Sequence, residues 1–402
     1  MRNFCIMKNG QASCCNNLND LTKIITVIMK IADNIIQKAF RFRICEPSEI
    51  VQANLEQTLN LCRNLYNAAL QERRDAYKLN RISLNYYDQA NQLSEIKQIN
   101  SEYKDVHSQV LQDVLKRIKK TFKAFFNRVK KGQAGFPRFK SPSRYDSFCY
   151  PQSGFSLTGN KLQLSKIGTV KLKLSRQIRG RIKTLTIKRE CGKWFAVFTV
   201  ETKAEPLPKT NKTVGLDVGI ESFVTLSDGT RIDNWKYFES SQKQLKKAQR
   251  KVSRRKKFSN RWCKAVKQVK KIHAHIKNQR NDFQHKLSTH LVGEFQTIVC
   301  EDLNIKGMSR GILSKQVHDV GWSSFFQKIE YKVANTNRRL IKVSPNYTSQ
   351  TCLCGHRMKK TLSRRWHNCL KCGLSIHRDE LSAKIILLLG LSGQDLTKAV
   401  GL

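Results

Sequence analysis

Three acidic residues stand at the ends of apolar segments, and their side chains suit metal-assisted chemistry. Asp217 and Glu301 each close a short apolar run, and Asp379 opens an apolar helix. Hydrolysis of a phosphodiester by two Mg²⁺ ions about 3.5 to 4 Å apart requires clustered acids, because the ions must activate water and stabilise the leaving oxygen. Carboxylate oxygens are ligands that Mg²⁺ prefers. We therefore expect the three carboxylates to converge on one site, although each alone is more typical of a turn or a helix cap.

The order of the segments around these acids carries further information. The predicted elements follow the chain order of an RNase-H-like nuclease core: a strand ending at Asp217, a β-meander, helices, a second strand ending at Glu301 and a late helix at Asp379. This order predicts an α/β nuclease domain. Three neighbouring acids are interpreted as turn or surface groups: Glu221, Asp228 and Asp302.

Four cysteines lie close together near the carboxyl end. Cys352 and Cys354 form one pair, and after 14 residues Cys369 and Cys372 form another. This spacing predicts a zinc ribbon in which four thiolates complete a tetrahedral structural site. Because the first pair is one residue shorter than usual, His356 or His367 could replace a thiolate, or the segment could hold no metal. Zinc here would fold the segment rather than catalyse a reaction.

The charge of the chain indicates a polyanionic partner. Lys and Arg number 75 against 30 Asp and Glu, which gives a formal net charge of +45. Between Ser241 and Lys286 there are 17 Lys and Arg against one acid, Asp282, while apolar residues keep helical spacing. This pattern predicts folded helices with a basic face. The expected nucleic-acid contacts of this region are Arg254, Arg255, Lys256 and Lys257.

A membrane surface is the competing polyanion, and the sequence argues against it. A spanning helix needs about 20 apolar residues, whereas the most apolar early run, 24–29, is short and lies between lysines. No clear secretory signal is present. We therefore expect a cytoplasmic, nucleoid-associated protein.

A second candidate contact with nucleic acid lies in the segment 135–140, where aromatic and cationic residues alternate. Phe136, Arg138 and Lys140 could stack on a base or brace a nucleic-acid backbone. Packing of the phenylalanines under a basic loop is an equally good interpretation.

The remaining segments alternate between strand and helix patterns. Residues 39–44 alternate apolar and basic side chains, as in a strand, whereas apolar residues recur at helical spacing over 49–80 and 103–131. Short alternating strands return over 157–202. These patterns predict a β-barrel that is interrupted by a helical insertion.

Several motifs together resemble the transposon-encoded TnpB (OrfB) family of RNA-guided DNA endonucleases. The likeness runs from about residue 38 to 389. It is carried by Gly135–Lys140, Gly215–Ile220, Arg280–Leu287, Ile298–Met308, Tyr347–Cys352, Cys369–Gly373 and Arg378-Asp379.

The resemblance implies an α+β multidomain protein related to type V CRISPR effectors. It implies Asp217, Glu301 and Asp379 as catalytic ligands of Mg²⁺, structural Zn²⁺, a guide RNA from the transposon end and a double-stranded DNA target beside a short motif. The expected organisation is an N-terminal extension (1–37), a split oligonucleotide-binding, wedge-like barrel (38–46 and 133–208), a helical recognition insert (47–132), a RuvC-like nuclease domain (209–346 and 377–402) and an inserted zinc ribbon (347–376).

Two departures from the family pattern leave an alternative function open. Where the family has Asp-Arg-Asp-x-Asn-Ala-Ala, this chain has His377 and Leu381 in place of the first Asp and the Asn. The first cysteine pair is also short. A catalytically impaired RNA-guided protein that binds DNA or regulates transposition is therefore the competing hypothesis.

Overall fold

The structure is a computed structural model that describes residues 5–8, 11–14, 35–133, 135–311, 313–358 and 365–393. The chain forms two compact units, Met1–Lys203 and Ala204–Leu402. Most of the expected extension over 1–37 lies outside the described residues. Within it, strands β1 (Cys5–Lys8) and β2 (Gln11–Cys14) pair antiparallel.

Unit 1 contains a seven-stranded antiparallel sheet in the order β4-β8-β9-β3-β7-β6-β5. Its edge strands β4 and β5 are joined only by residues 151–154, so the two edges lie close and the sheet forms a nearly closed barrel. The strands are β3 (Ile35–Ile44), β4 (Ser147–Tyr150), β5 (Phe155–Thr158), β6 (Lys161–Leu164), β7 (Gly168–Lys173), β8 (Arg181–Glu190) and β9 (Lys193–Lys203).

Helices separate β3 from β4, as the sequence predicts. The helix predicted over 49–80 is confirmed as α1 (Glu49–Asn80), which Ser48 caps by accepting a hydrogen bond from the backbone N–H of Val51. Two short helices follow, α2 (Tyr86–Asn91) and α3 (Leu93–Ile99), and a 3₁₀ turn (Ser101–Asp105) leads to α4 (Ser108–Val129).

The prediction of one helix over 103–131 is wrong at its start. Asn100 caps the 3₁₀ turn, and Val106 is extended with φ −105° and ψ 132°. The helical hydrogen bonds therefore begin anew at α4. The apolar spacing on which the prediction rested belongs to buried residues of α4 itself, such as Leu111 and Ile118.

Unit 2 is built on a five-stranded mixed sheet in the order β12-β11-β10-β13-β14. Strand β10 pairs antiparallel with β11 and parallel with β13, and β13 pairs parallel with β14. The meander β10-β11-β12 agrees with the prediction from sequence. The strands are β10 (Thr213–Val218), β11 (Ser222–Leu226), β12 (Arg231–Asp233), β13 (Thr297–Glu301) and β14 (Arg339–Val343).

Helices cover this sheet and extend from it. The long helices α5 (Tyr237–Ser253) and α6 (Asn260–Glu294) pack on each other, and α9 (Trp322–Thr336) packs on α6. Two short helices, α7 (Ile305–Met308) and α8 (Ser314–Val320), follow β13. A hairpin of β15 (Trp366–Asn368) and β16 (Ser375–His377) leads directly into α10 (Arg378–Ser392).

The sheet of unit 2 has a different layer on each face. Alternate residues of the central strands, Leu216, Ile298 and Cys300 among them, share one core with residues of α6 and α9. Helix α10 lies on the opposite face, against β10 and β13. The face under α10 is the one that carries Asp217 and Glu301. No helix among the described residues is long and apolar enough to cross a membrane.

Candidate active site and metal centre

Strand register brings Asp217 and Glu301 together. Leu216 is level with Cys300 in the parallel pair β10–β13, so the next residues, Asp217 and Glu301, stand side by side at the carboxyl ends of the two strands. Adjacent parallel strands project level residues to the same face. Both carboxylates are half-buried.

A glycine in β10 lets α10 deliver the third acid. A Cβ atom at Gly215 would lie 2.1 Å from the carbonyl oxygen of Ala383 and 2.9 Å from the backbone nitrogen of Leu387. Helix α10 therefore lies directly on the strand backbone. Asp379 lies about one helical turn before Ala383, and its charge acts on Asp217. The close approach of helix and strand positions Asp379 beside Asp217, which itself stands next to Glu301.

The electrostatics of the three acids favour a bound cation. Burial raises the pKa of Asp217 well above its usual value, and the charges of Glu301 and Asp379 raise it further, although Arg378 and the backbone N–H of Val218 lower it. Burial also raises the pKa of Glu301, which is opposed by a hydrogen bond that the Thr348 hydroxyl donates at 2.5 Å. Clustered, partly desolvated carboxylates repel one another, and a divalent cation would relieve that repulsion.

Two arginines lie at the same site: Arg378, which the sequence showed only as part of a family motif, and Arg365, which it did not single out. Arg378 Nε lies 3.2 Å from Asp379 Oδ1, and Arg365 Nη1 lies 3.8 Å from Asp379 Oδ2. Arg365 also forms an ion pair of 2.5 Å with Glu221, which the sequence suggested was only a turn or surface group. The spacing of residues along the sequence does not indicate Arg365, because the pairing of β15 with β16 is what brings it to Asp379.

The substituted positions of the last acidic motif have structural roles. His377 caps α10: its Nδ1 accepts a hydrogen bond of 3.3 Å from the backbone N–H of Asp379. Burial lowers the pKa of His377, against the influence of Asp379, so the neutral ring that can accept this bond is favoured. Leu381 is fully buried in a cluster with Ile385 and Leu389. The substitutions thus keep α10 formed.

The four cysteines converge on one point. Their sulfur atoms all lie within 4.8 Å of one another, and the Cys352–Cys372 and Cys354–Cys369 sulfur pairs are 3.6 Å apart. A tetrahedral zinc with bonds of about 2.3 Å would separate its sulfur ligands by about 3.8 Å, so the donor set fits zinc. Among the described residues this is the one group of three or more His, Cys, Asp or Glu side chains whose ligand atoms all lie within 4.8 Å of one another. The group includes neither His356 nor His367.

Local backbone geometry explains why the shortened first pair still joins the cluster. Gly355 has φ +83° and donates a backbone hydrogen bond to the carbonyl of Cys352 at 3.0 Å, which closes a tight turn around Cys354. In the second pair, burial raises the pKa of the Cys369 thiol, but the backbone N–H groups of Cys372 and Lys371 outweigh it and lower the pKa to about 6. A thiolate is the form that binds zinc.

The basic cluster of unit 2 lies at the tip of a helical hairpin. Arg254, Arg255, Lys256 and Lys257 are all exposed between α5 and α6. Phe258 beside them is 76 % exposed, and Lys257 Nζ lies 5.3 Å from its ring centroid. Cations around an accessible aromatic ring suit nucleic acid.

The other expected nucleic-acid contacts belong to unit 1. The Phe136 ring lies 5.8 Å from that of Phe122 and 5.3 Å from that of Phe125, yet the residue is 45 % exposed. The Phe136 ring thus packs on two phenylalanines and keeps an exposed surface, which is compatible with both interpretations of the sequence. Arg138 is exposed, and the backbone of Lys140 exchanges two hydrogen bonds with the Asn67 side chain.

Comparison with known families covers most of the chain. A family model described as "Probable transposase" (OrfB of IS605) matches residues 196–311, and one described as "Cas12f1-like, TNB domain" matches residues 322–386. A third, described as "Helix-turn-helix domain", matches residues 34–81. Within the described part of that range, 35–44 form β3 and 49–80 form the single long helix α1.

Two relatives and one solved structure resemble nearly the full chain. Both relatives are provisionally named RNA-guided DNA endonucleases. InsQ of Escherichia coli (strain K12) is 32 % identical, and the match covers 88 % of this chain and 92 % of InsQ. A protein of Streptomyces pristinaespiralis is 34 % identical, and the match covers 89 % of this chain and 90 % of that protein. The solved Cas12f1-sgRNA-target DNA complex matches with a TM-score of 0.56 and 14 % identity, covering 87 % of this chain and 98 % of the Cas12f1 chain. The chain therefore has a Cas12-like α+β fold.

Proposed function

Because the chain belongs to the TnpB (OrfB) family, we propose that it is an RNA-guided, Mg²⁺-dependent DNA endonuclease of an insertion-sequence transposon. It cuts DNA beside a short transposon-associated motif. The observation that carries this proposal is the meeting of Asp217, Glu301 and Asp379 on one face of the mixed sheet, at the edge where β10 and β13 end.

These three residues fit magnesium as its ligands. The acids supply hard oxygen donors. Two ions about 3.5 to 4 Å apart, the arrangement used for phosphodiester hydrolysis, would share these carboxylates. Bound Mg²⁺ would activate water and stabilise the leaving oxygen. Thr348 orients Glu301 by its hydrogen bond.

The arginines beside Asp379 suit the substrate of such a reaction. Arg365 and Arg378 present guanidinium groups at the acids, and guanidinium binds phosphate through geometrically matched hydrogen bonds. In the free protein Arg365 is held by Glu221. On substrate binding these cations would neutralise the backbone phosphate that approaches the three carboxylates.

The sheet order supports the domain assignment from sequence. Three antiparallel strands followed by two parallel ones, with the acids on neighbouring strands, suit a RuvC-like nuclease domain over 209–346 and 377–402. The cysteine cluster supports an inserted zinc ribbon over 347–376. The nearly closed barrel and helices of unit 1 suit a wedge-like domain and a recognition insert.

The partners follow from the charge and the family. A net charge of +45 favours a large polyanion as partner. In guided nucleases, base pairing with the RNA selects the target while the protein reads a short adjacent motif. We propose a guide RNA from the transposon end and a double-stranded DNA target, with the protein associated with the nucleoid.

The experiment that tests this function purifies the full chain from cells that carry the native flanking DNA. Bound RNA is sequenced, and a matched target flanked by a randomised library is then incubated with the complex and Mg²⁺. We expect a discrete transposon-end RNA and cleavage beside one motif. Bound RNA with no cleavage under any divalent ion would instead support the impaired, binding-only alternative.

Loss of one cysteine should empty the zinc site. Cys369→Ser removes one ligand, and because the ribbon has few apolar residues, its fold depends on the metal. We expect zinc content to fall from about one ion per chain, and cleavage to fall at least about tenfold. Elemental analysis and a cleavage assay measure both. The matched control is Cys263→Ser, an exposed cysteine of α6, and equal zinc in the two variants would contradict the assignment.

Neutralising the hairpin tip should weaken nucleic-acid binding in a salt-dependent way. Replacing Arg254, Arg255, Lys256 and Lys257 by Ala should reduce the log-log slope of affinity against salt by up to about 0.9 for each phosphate of duplex DNA that the variant no longer neutralises. Filter binding over a salt series measures this slope. A variant with Lys at positions 254 and 255 keeps the charge and should keep the slope, and an unchanged slope in the alanine variant would exclude a role for the tip.

A further inference from the structure

An exposed tryptophan lies next along the chain to an arginine that contacts Asp379. Trp366 is 57 % exposed, although a large aromatic ring is ordinarily buried to a much greater extent. It follows Arg365, whose guanidinium lies 3.8 Å from Asp379. An aromatic ring open to solvent at this position demands an explanation other than core packing.

Backbone pairing fixes Trp366 relative to Asp379. Trp366 pairs with His377 across the β15–β16 hairpin, and the backbone N–H of Arg378 donates to the carbonyl of Arg365 at 2.8 Å. Asp379 comes two residues after His377. The indole and the carboxylate are therefore attached to one hydrogen-bonded piece of backbone.

A second ring braces the indole on one side. The Trp366 and His377 rings lie 6.0 Å apart at an interplanar angle of 76°, an edge-to-face contact. His377 is itself held in place as the cap of α10. The indole thus has a supported orientation and an open face, with Arg365 and Arg378 as nearby cations that attract a phosphate backbone.

We propose that Trp366 stacks on an unpaired base of the DNA strand that is cut, and that His377 holds the indole ready for it. This inference rests on the proposed endonuclease function and adds a residue that positions the strand over the acids. Stacking tolerates any base, because every base has a π-face. It therefore leaves the choice of sequence to the guide.

The proposal also gives a purpose to the substitution at His377. An aspartate at this position could cap α10 equally well, but it has no ring to support an indole. The Trp366–His377 pair would thus add an aromatic platform next to the proposed metal-binding acids.

Abasic nucleotides test the stacking. The guide-bound full chain is given targets in which one abasic nucleotide occupies successive positions around the cut on the cleaved strand, and single-turnover rates are measured. We expect Trp366→Ala to slow cleavage of the intact target by about tenfold. An abasic nucleotide at one position should slow the wild type by a similar factor and should not slow Trp366→Ala any further. Trp366→Phe should keep most of the rate.

Two results would overturn the stacking role. One is wild-type cleavage by Trp366→Ala, and the other is an abasic effect of equal size in both proteins at every position. If Trp366→Ala has a lower melting temperature, His377→Asp repeats the test with the indole retained, and we expect it to show weaker sensitivity to the abasic position. Failure of the wild-type complex to cut any target would overturn the endonuclease function itself, which is a separate outcome.

Discussion

Replacement of Asp217 by Asn is expected to abolish measurable cleavage while leaving guide-RNA binding intact. Asp217 is the acid on which the charges of both Glu301 and Asp379 act, so its carboxylate is central to the cluster. Loss of a metal ligand removes several kcal/mol of stabilisation of the developing charge. A loss of about 4 kcal/mol corresponds to a roughly thousand-fold slower reaction.

The assay compares single-turnover cleavage, RNA content and melting temperature. The matched control is Asp233→Asn, which alters an exposed acid at the end of β12 in the same sheet and should cut at the wild-type rate. Glu301→Gln and Asp379→Asn should behave like Asp217→Asn. Robust cutting by Asp217→Asn would show that the catalytic centre lies elsewhere.

Replacement of Gly215 by Ala should be nearly as damaging, although no charge changes. The added methyl group would meet backbone atoms of Ala383 and Leu387 at 2.1 and 2.9 Å, and backbone cannot rotate away as a side chain can. Helix α10 must therefore shift, and Asp379 shifts with it. Overpacking of this kind costs about 1 to 3 kcal/mol of stability, and a displacement of about 1 Å in a catalytic group can cost about a hundredfold in rate.

A second glycine provides the control for this prediction. Gly293 lies in α6 with no atom within 4 Å of the position of an added Cβ, so Gly293→Ala should leave cleavage unchanged and slightly raise the melting temperature. Thermal unfolding and single-turnover cleavage are measured for both variants. If Gly215→Ala kept the wild-type rate and stability, the close packing of α10 on β10 would be wrong.

The sequence was most informative where an apolar run ended in an acid. A buried strand that stops at a carboxylate predicts both the strand and the position of the acid, and β10 and β13 formed as expected. The register that sets Asp217 beside Glu301 depends on pairing between segments about 80 residues apart. Local patterns do not contain that information.

Other parts of the site depend on contacts that no spacing reveals. Thr348 contacts Glu301 because the segment after β14 returns to the end of β13. Arg365 contacts Asp379, with Trp366 next to it, because the β15–β16 hairpin packs on α10. Similarly, the sequence shows Gly215 only as a small residue in a strand. Its role, which is to let α10 pack directly on the backbone of β10, depends on the contact between the two elements. The helix predicted from 103 failed because Asn100 and Val106 impose a local break.

The most direct test of Asp217, Glu301 and Asp379 as metal ligands places sulfur at the bond that is cut. Once the cut position is known, a non-bridging oxygen of the scissile phosphate is replaced by sulfur, and single-turnover rates are compared in Mg²⁺ and in the softer Mn²⁺. If the three acids bind the metal, we expect cleavage in Mg²⁺ to slow by at least about tenfold for one sulfur stereoisomer and to recover in Mn²⁺. Equal rates in both ions for both stereoisomers, or cutting in excess chelator, would contradict metal binding by these acids.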